Sequence, residues 1–186
     1  WLRKNETSAT FFVVGELLES KPELLDKIIG NGHEIAFHTM HHSRIDSIDF
    51  KEKFTEEIKS FEKMTSKKSK GFRAPSFSLN NSSSWILDVL ADNNYVYDSS
   101  VMPAKTRLYG IPNADVKPYR IGSSSLEQDD PKNKILEFPL LTTQLLGYNF
   151  PACGGFYLRF LPLKIIERAI KNNMKKNIPS TFFIHS

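Results

Sequence analysis

Residues 9–42 read ATFFVVGELLESKPELLDKIIGNGHEIAFHTMHH, and this stretch decides the predicted fold. Residues 9–14 form a continuous apolar, β-branched and aromatic run, which suits a strand buried on both faces. Residues 16–30 then place apolar side chains at helical spacing, with Pro22 near a turn start. A second short strand follows over 34–37. Strand, helix and strand in this order predict the first unit of a parallel α/β sheet.

The same alternation continues along the rest of the chain. We predict further strands over 70–74, 95–98, 135–141, 181–184 and, less regularly, 143–146, and helices over 47–64, from 80–84 through Leu90, and over 163–175. Four prolines interrupt residues 99–134, which we interpret as a long functional or disordered loop. The pattern favours one α/β domain over 1–186, and an open doubly wound sheet and a barrel both fit it.

Composition limits the possible functions. The 186 residues are 40% hydrophobic and 25% charged, as in an ordinary globular domain, and the net charge of +4 comes from scattered lysines. We therefore expect no nucleic-acid surface. One cysteine excludes an internal disulfide, and no apolar run approaches the ~20 residues that span a bilayer. Composition is compatible with the cell envelope or periplasm and with the cytoplasm, and it does not determine the oligomeric state.

Four of the five histidines lie within residues 33–42, and the fifth is His185. We predict His38 and His42 as metal ligands, and His33 and His41 as ordinary surface or core histidines. Catalytic zinc takes three protein ligands and one water, and two histidines plus a carboxylate also suit Co²⁺, Ni²⁺, Mn²⁺ or iron. The sequence shows the two histidines but not the carboxylate.

Other ionisable residues follow the later predicted strands. Arg73 closes the strand over 70–74, Asp98 ends the next, and His185 ends the last. Because the carboxyl ends of parallel strands meet at one edge, we expect these side chains on one side. Arg73 fits a surface arginine or a partner that orients a catalytic carboxylate. Asp98 is consistent with a residue that only shapes a turn. His185 is consistent either with a hydrogen-bonded histidine of the core or with a general acid.

These motifs together resemble the polysaccharide deacetylase family, the NodB-homology domain of carbohydrate esterases. The similar segments are ATFFVVG at 9–15, GHEIA at 32–36 with HTMHH at 38–42, RAPSF at 73–77 and FIH at 183–185. The segments at 97–100, 109–112 and 136–139 are similar to a branch associated with bacterial exopolysaccharide synthesis. The resemblance extends nearly from end to end.

The resemblance implies a distorted, incomplete (β/α) barrel and a hydrolase that removes N-acetyl groups from an exopolysaccharide or cell-wall glycan. His38 and His42 would hold Zn²⁺ or another divalent metal such as Co²⁺, Ni²⁺ or Mn²⁺. A backbone N–H near Ser76 would help to stabilise the oxyanion. His185 would protonate the departing amine.

The resemblance also implies supporting roles. Arg73 would orient the catalytic base. Ser76, Phe77 and Asp98 form the expected substrate-binding group, and Phe77 with the loop over 99–134 would shape the sugar groove.

The family's first motif, which carries an aspartate base and an aspartate ligand, has no match in residues 1–8. We expect it upstream of Trp1, and we expect residues 1–186 alone to be inactive. A non-catalytic carbohydrate-binding or scaffolding relative is the alternative hypothesis. A metal hydrolase of small amides is a third.

Overall fold

The computed structural model describes residues 2–47 and 50–185, which form a mostly parallel sheet flanked by helices. The strands described are β1 Thr10–Val13, β2 Glu34–Phe37, β3 Gly71–Phe72, β4 Tyr97–Asp98, β5 Tyr119–Ile121, β6 Ile135–Glu137, β7 Thr142–Leu145 and β8 Tyr148–Pro151. The α-helices described are α1 Gly15–Ser20, α2 Glu23–Gly30, α3 Phe50–Met64, α4 Ile86–Asp92, α5 Gly155–Phe160 and α6 Leu163–Lys175. Short 3₁₀ turns lie at Arg3–Asn5 and Pro75–Phe77.

The order of the strands shows which α/β architecture the chain adopts. The main sheet runs β1-β2-β3-β4-β6-β5, and only β5 is antiparallel to its neighbour. The parallel strands follow one another in chain order without a reversal, which is the winding of a barrel rather than of a doubly wound sheet. The described strands do not close a ring. The predicted distorted, incomplete (β/α) barrel is confirmed.

Helix α3 supplies much of the main hydrophobic core. Its apolar residues recur at helical spacing, so one stripe faces the sheet. The buried members are Phe50, Phe54, Ile58 and Phe61. Phe61 stacks on Phe37 of β2 with ring centroids 4.7 Å apart. This packing fixes the end of β2, directly before His38.

Two predicted elements differ in the structure: the helix over 16–30 and the strand over 181–184. The helix predicted over 16–30 is broken into α1 and α2, since a residue before proline is driven towards extended geometry and Lys21 has φ −141° and ψ 68°. The predicted buried strand over 181–184 is wrong: only Thr181 forms a bridge, with Leu140, and Ile184 is exposed. Of the helix predicted over 47–64, residues 48 and 49 lie outside the described residues.

The sequence also missed three short elements. Strand β5 lies inside the predicted loop over 99–134, where three residues are too few for a periodic signal. Strand β8 and helix α5 follow β7, which was predicted. No helix in the described ranges is both long enough and apolar enough to cross a membrane.

Candidate active site

His38 follows β2 directly and has a defined tautomer. Its Nδ1 lies 2.7 Å from the carbonyl oxygen of Arg73. A carbonyl only accepts, so Nδ1 carries the proton and donates it, which leaves a lone pair on Nε2. Burial lowers the pKa of His38 to about 4, so the ring is neutral at pH 7. A neutral imidazole fixed by a carbonyl is the state in which histidine binds a metal.

His42 is brought back beside His38 by the backbone of the connecting loop. Thr39 and His42 both adopt left-handed geometry, with φ 62° and 55°. The two imidazole centroids lie 4.9 Å apart with the rings nearly perpendicular. We call residues 38–42 the histidine loop. The pair is therefore presented by a folded loop rather than by one face of a helix.

Backbone hydrogen bonds hold the histidine loop from two sides. The carbonyls of Thr39 and Met40 accept bonds from the N–H groups of Gly15 and Glu16 at the start of α1, at 3.0 and 2.9 Å. On the other side, the Met40 N–H donates to Glu57 Oε2 at 2.8 Å. A Cβ on Gly15 would lie only 2.1 Å from Met40 Sδ, so α1 can approach this closely only with glycine there.

The prediction missed Glu57, although the sequence contains a signal for it. Glu57 stands three residues after Phe54 and four before Phe61, so a carboxylate interrupts the buried stripe of α3. Burial raises the pKa of this carboxyl, and its bond from Met40 opposes that shift. A partly buried carboxylate at this place serves to orient the histidine loop.

The remaining two histidines of the cluster make contacts of their own. His41 is exposed and its Nδ1 is 3.0 Å from Glu16 Oε2, a bond that raises the pKa of His41. His33 packs on Phe11 with ring centroids 5.4 Å apart.

Arg73 is buried rather than at the surface. Its Nε donates to the Ser99 carbonyl at 2.8 Å and its Nη2 to Ser99 Oγ at 2.7 Å. The guanidinium carbon stands 4.0 Å from the centre of the Phe12 ring, a cation–π contact. Burial lowers the pKa of Arg73 to about 10, so it stays charged at pH 7. The surface interpretation is wrong, and its role towards a catalytic carboxylate stays a prediction.

Asp98 and Glu137 form a buried carboxyl pair beneath Arg73. They are register neighbours on β4 and β6, and neither is exposed to solvent. Ser100 Oγ donates to Asp98 Oδ1 at 2.6 Å, and the Val101 N–H donates to Glu137 Oε1 at 3.0 Å. Burial raises the pKa of both carboxyls, that of Glu137 well above its ordinary value, with Asp98 adding to the shift.

Two adjacent buried carboxyls cannot both ionise, so Glu137, whose pKa is raised well above its ordinary value, keeps its proton. The pair then carries one negative charge near the Arg73 cation. The prediction that Asp98 binds substrate is wrong, because a fully buried carboxyl cannot touch a sugar. Glu137 was not predicted as part of the site.

The turn Pro75–Phe77 provides an available hydrogen-bond donor. Ser76 and Phe77 are left-handed, with φ 53° and 50°. Ser76 is exposed, and its backbone N–H meets no acceptor among the described residues. Phe77 instead packs on Phe183 and Tyr109, at 4.8 and 5.2 Å between centroids. Most of the Phe77 ring lies in a second apolar cluster, and its role as a groove wall stays a prediction.

His185 lies on the side of the histidine loop. Its exposed ring meets Phe183 edge-on, with centroids 5.6 Å apart. A positive charge on His185 would lower the pKa of His38, so the two imidazoles are within electrostatic range. The structure thus pairs His38 with His42 and places His185 within electrostatic range of His38.

Residues 1–97 match the family model described as polysaccharide deacetylase. The chain belongs to this family. Residues 99–186 match a model described as a domain of unknown function.

Two curated relatives are similar over one short segment. The chitooligosaccharide deacetylases of Bradyrhizobium sp. (strain ANU 289) and Sinorhizobium fredii (strain NBRC 101917 / NGR234) are 44% and 42% identical to this chain over 41 residues. That segment is 22% of this chain and 19% of each relative. The chain thus spans about a fifth of the curated relatives that it matches.

A crystal structure from Mycobacterium smegmatis, assigned to the polysaccharide deacetylases, supports the fold over nearly the whole chain. Its TM-score is 0.60 at 20% identity, covering 98% of this chain and 59% of that one. At this identity the likeness concerns the fold alone.

The donor set fits part of a divalent metal site. Two imidazoles are suitable ligands for zinc or cobalt. Within residues 2–47 and 50–185, no three His, Cys, Asp or Glu side chains are placed to hold an ion together. The His38–His42 pair thus offers two donors, fewer than the three protein ligands that a catalytic zinc site takes.

Proposed function

We propose that the protein is a metal-dependent deacetylase that hydrolyses N-acetyl groups of an N-acetylhexosamine glycan. The observation that carries this proposal is the His38–His42 pair, in which His38 is neutral and donates through Nδ1 to a backbone carbonyl. The pair would hold Zn²⁺ or a related ion such as Co²⁺, Ni²⁺ or Mn²⁺. The ion, when bound, would act as a Lewis acid and provide an acidified water.

The third ligand belongs to the proposal as well. We assign it, together with the carboxylate base, to acidic residues outside the described residues. The buried, charged Arg73 supports this assignment, because its planar guanidinium can orient a carboxylate. The Asp98–Glu137 pair and Ser99 keep that guanidinium charged and fixed.

The other residues act on the acetamide group. The unpaired Ser76 N–H would bind the carbonyl oxygen as negative charge develops there. His185 would hold the proton that the departing amine nitrogen receives. The left-handed turn at Ser76 keeps that donor exposed instead of pairing it within the protein.

The substrate class is supported by the matched names and by the sequence motifs. Two curated relatives are named for chitooligosaccharides, which are N-acetylglucosamine oligomers. The motifs at 97–100, 109–112 and 136–139 favour an exopolysaccharide as the natural glycan.

Acetate release from N-acetylglucosamine oligomers by the full-length protein tests this function. We expect release that stops on chelation and returns with Zn²⁺ or Co²⁺. His185→Asn should lower kcat by about 10²-fold or more if it supplies the proton, whereas His33→Asn serves as the matched control. Absence of release from the metal-loaded protein on every oligomer would contradict the proposal.

A further inference from the structure

The segment from β7 to α6 exposes a concentration of apolar side chains. Among the described residues, eight of the fifteen exposed large apolar side chains fall between 145 and 163: Leu145, Leu146, Tyr148, Phe150, Phe156, Leu158, Phe160 and Leu163. Residues 138–158 contain no charged residue. Contiguous exposed apolar surface of this kind marks an interaction site.

The apolar surface is built from two packed elements. Phe150 of β8 meets Tyr157 of α5 with ring centroids 5.7 Å apart, and Phe156 meets Phe160 at 4.5 Å. The hairpin and α5 therefore form one unit, which we call the apolar wedge (residues 145–160).

The turn between β7 and β8 has an unusual residue at its tip. Leu146 and Gly147 both have positive φ, 51° and 84°. A two-residue turn of this kind favours Asn-Gly or Asp-Gly, because polar residues tolerate left-handed geometry. Here the first position is a leucine that is 92% exposed. Neither backbone preference nor solvation favours leucine at this position.

Helix α6 adds a charge pattern next to the apolar wedge. Lys164, Arg168, Lys171 and Lys175 recur at spacings of four, three and four, which places them on one stripe about 60° wide. All four are exposed, and the buried Ile166 and Ala169 lie on the opposite side.

The C-terminal segment 155–185 has a net positive charge at least as large as that of the whole chain. Residues 155–185 contain six basic residues and one acidic residue, a net charge of +5, whereas the complete chain carries +4. The prediction of merely scattered lysines is therefore corrected: on α6 they form a stripe.

We propose that the apolar wedge and the basic stripe of α6 dock the protein on an anionic lipid surface. Exposed leucine and phenylalanine side chains insert into the interface between headgroups and acyl chains, while lysine and arginine bind the negative headgroups. An anionic glycan would satisfy the basic stripe but not Leu146 or Phe156. The inference stands on different residues from the proposed deacetylase site.

Co-sedimentation of the full-length protein with vesicles tests the proposal. We expect binding to vesicles of equal parts phosphatidylcholine and phosphatidylglycerol, weaker binding to phosphatidylcholine alone, and a loss of the difference at high salt. Leu146→Asn should weaken binding about tenfold, although asparagine suits the turn better than leucine and leaves the hairpin intact. Lys164→Gln with Lys171→Gln should weaken it by a similar factor.

Matched controls lie elsewhere on the surface. Leu108→Asn changes another largely exposed leucine, in the loop over 99–134, and Lys59→Gln with Lys63→Gln changes two exposed lysines of α3. Both controls should bind as the wild type does. Three results would overturn the proposal: no binding to anionic vesicles, equal binding by variants and controls, or self-association through Leu146 without binding to vesicles.

Discussion

The histidine loop and the hairpin tip both hold non-glycine residues in left-handed geometry, but their surroundings are opposite. Around Thr39 and His42, backbone groups of α1 and a carboxylate of α3 bind the loop. Around Leu146, the side chain is almost entirely exposed. Where neighbouring groups bond to a strained backbone, the strained loop holds its side chains in fixed positions for chemistry. At an exposed hairpin tip, the same backbone geometry instead presents a side chain to a binding partner.

The largest expected difference between the two regions is in packing. Phe61→Ala removes a fully buried ring that stacks on Phe37, the residue before His38, and should lower the free energy of unfolding by about 3–5 kcal/mol. Phe160→Ala removes a mostly exposed ring, and the change should stay within about 0.5 kcal/mol. Urea denaturation of the full-length protein measures both. Equal losses would show that α5 is packed as a core element, contrary to its exposure.

A smaller change tests the close approach of α1 to the histidine loop. In Gly15→Ala the new methyl group meets Met40, so Met40 must shift, and we expect a loss of about 1–3 kcal/mol. Gly30→Ala is the matched control, since nothing lies within 4 Å of its added Cβ. The control should be neutral or stabilising by up to about 1 kcal/mol. If both variants unfold at the same urea concentration, the contact with α1 does not constrain the loop.

Glu57 should act on the ion through the histidine loop. Glu57→Ala leaves the Met40 N–H without its acceptor and should weaken metal affinity about 10–100-fold, as loss of an outer-shell partner does. Glu57→Gln keeps an acceptor oxygen and should retain most of the affinity. Competition with a chromogenic chelator gives both values. Unchanged affinity in Glu57→Ala would mean that the loop holds its shape without this bond.

The buried carboxyl pair should give a smaller, pH-dependent effect. The pKa of Glu137 is raised in the folded state, so the folded protein binds more protons than the unfolded chain above the ordinary pKa of 4.5. Stability therefore falls as the pH rises through that value. Glu137→Gln copies the protonated side chain, and its stability should fall less steeply with pH. Parallel slopes from denaturation at a series of pH values would contradict a protonated Glu137.

Much of the fold was predictable from residue patterns. The continuous apolar run over 9–14, the short strand over 34–37 and the apolar stripe of α3 all appear where expected. Strands β5 and β8 and helix α5 were missed, because each has only three to six residues bounded by proline or glycine. The strand predicted over 181–184 failed since an apolar run forms a strand only beside a pairing partner.

The site was predictable where motif residues carry the chemistry. His38 and His42 stand together as expected because the loop reverses between them. The sequence could not show that Asp98 and Phe77 are buried, since both positions depend on contacts with distant residues, Glu137 and Phe183. Glu57 was detectable as a charge within an apolar stripe, but its bond to Met40 arises only from the packing of α3 on the loop.

Metal content of the full-length protein tests the central claim most directly. Elemental analysis should find a bound divalent ion in the wild type and in His33→Ala, and loss of that ion in His38→Ala and in His42→Ala. Far-UV circular dichroism of each variant checks that the fold is kept. Unchanged metal in folded His38→Ala and His42→Ala would contradict the assignment of these two histidines as ligands.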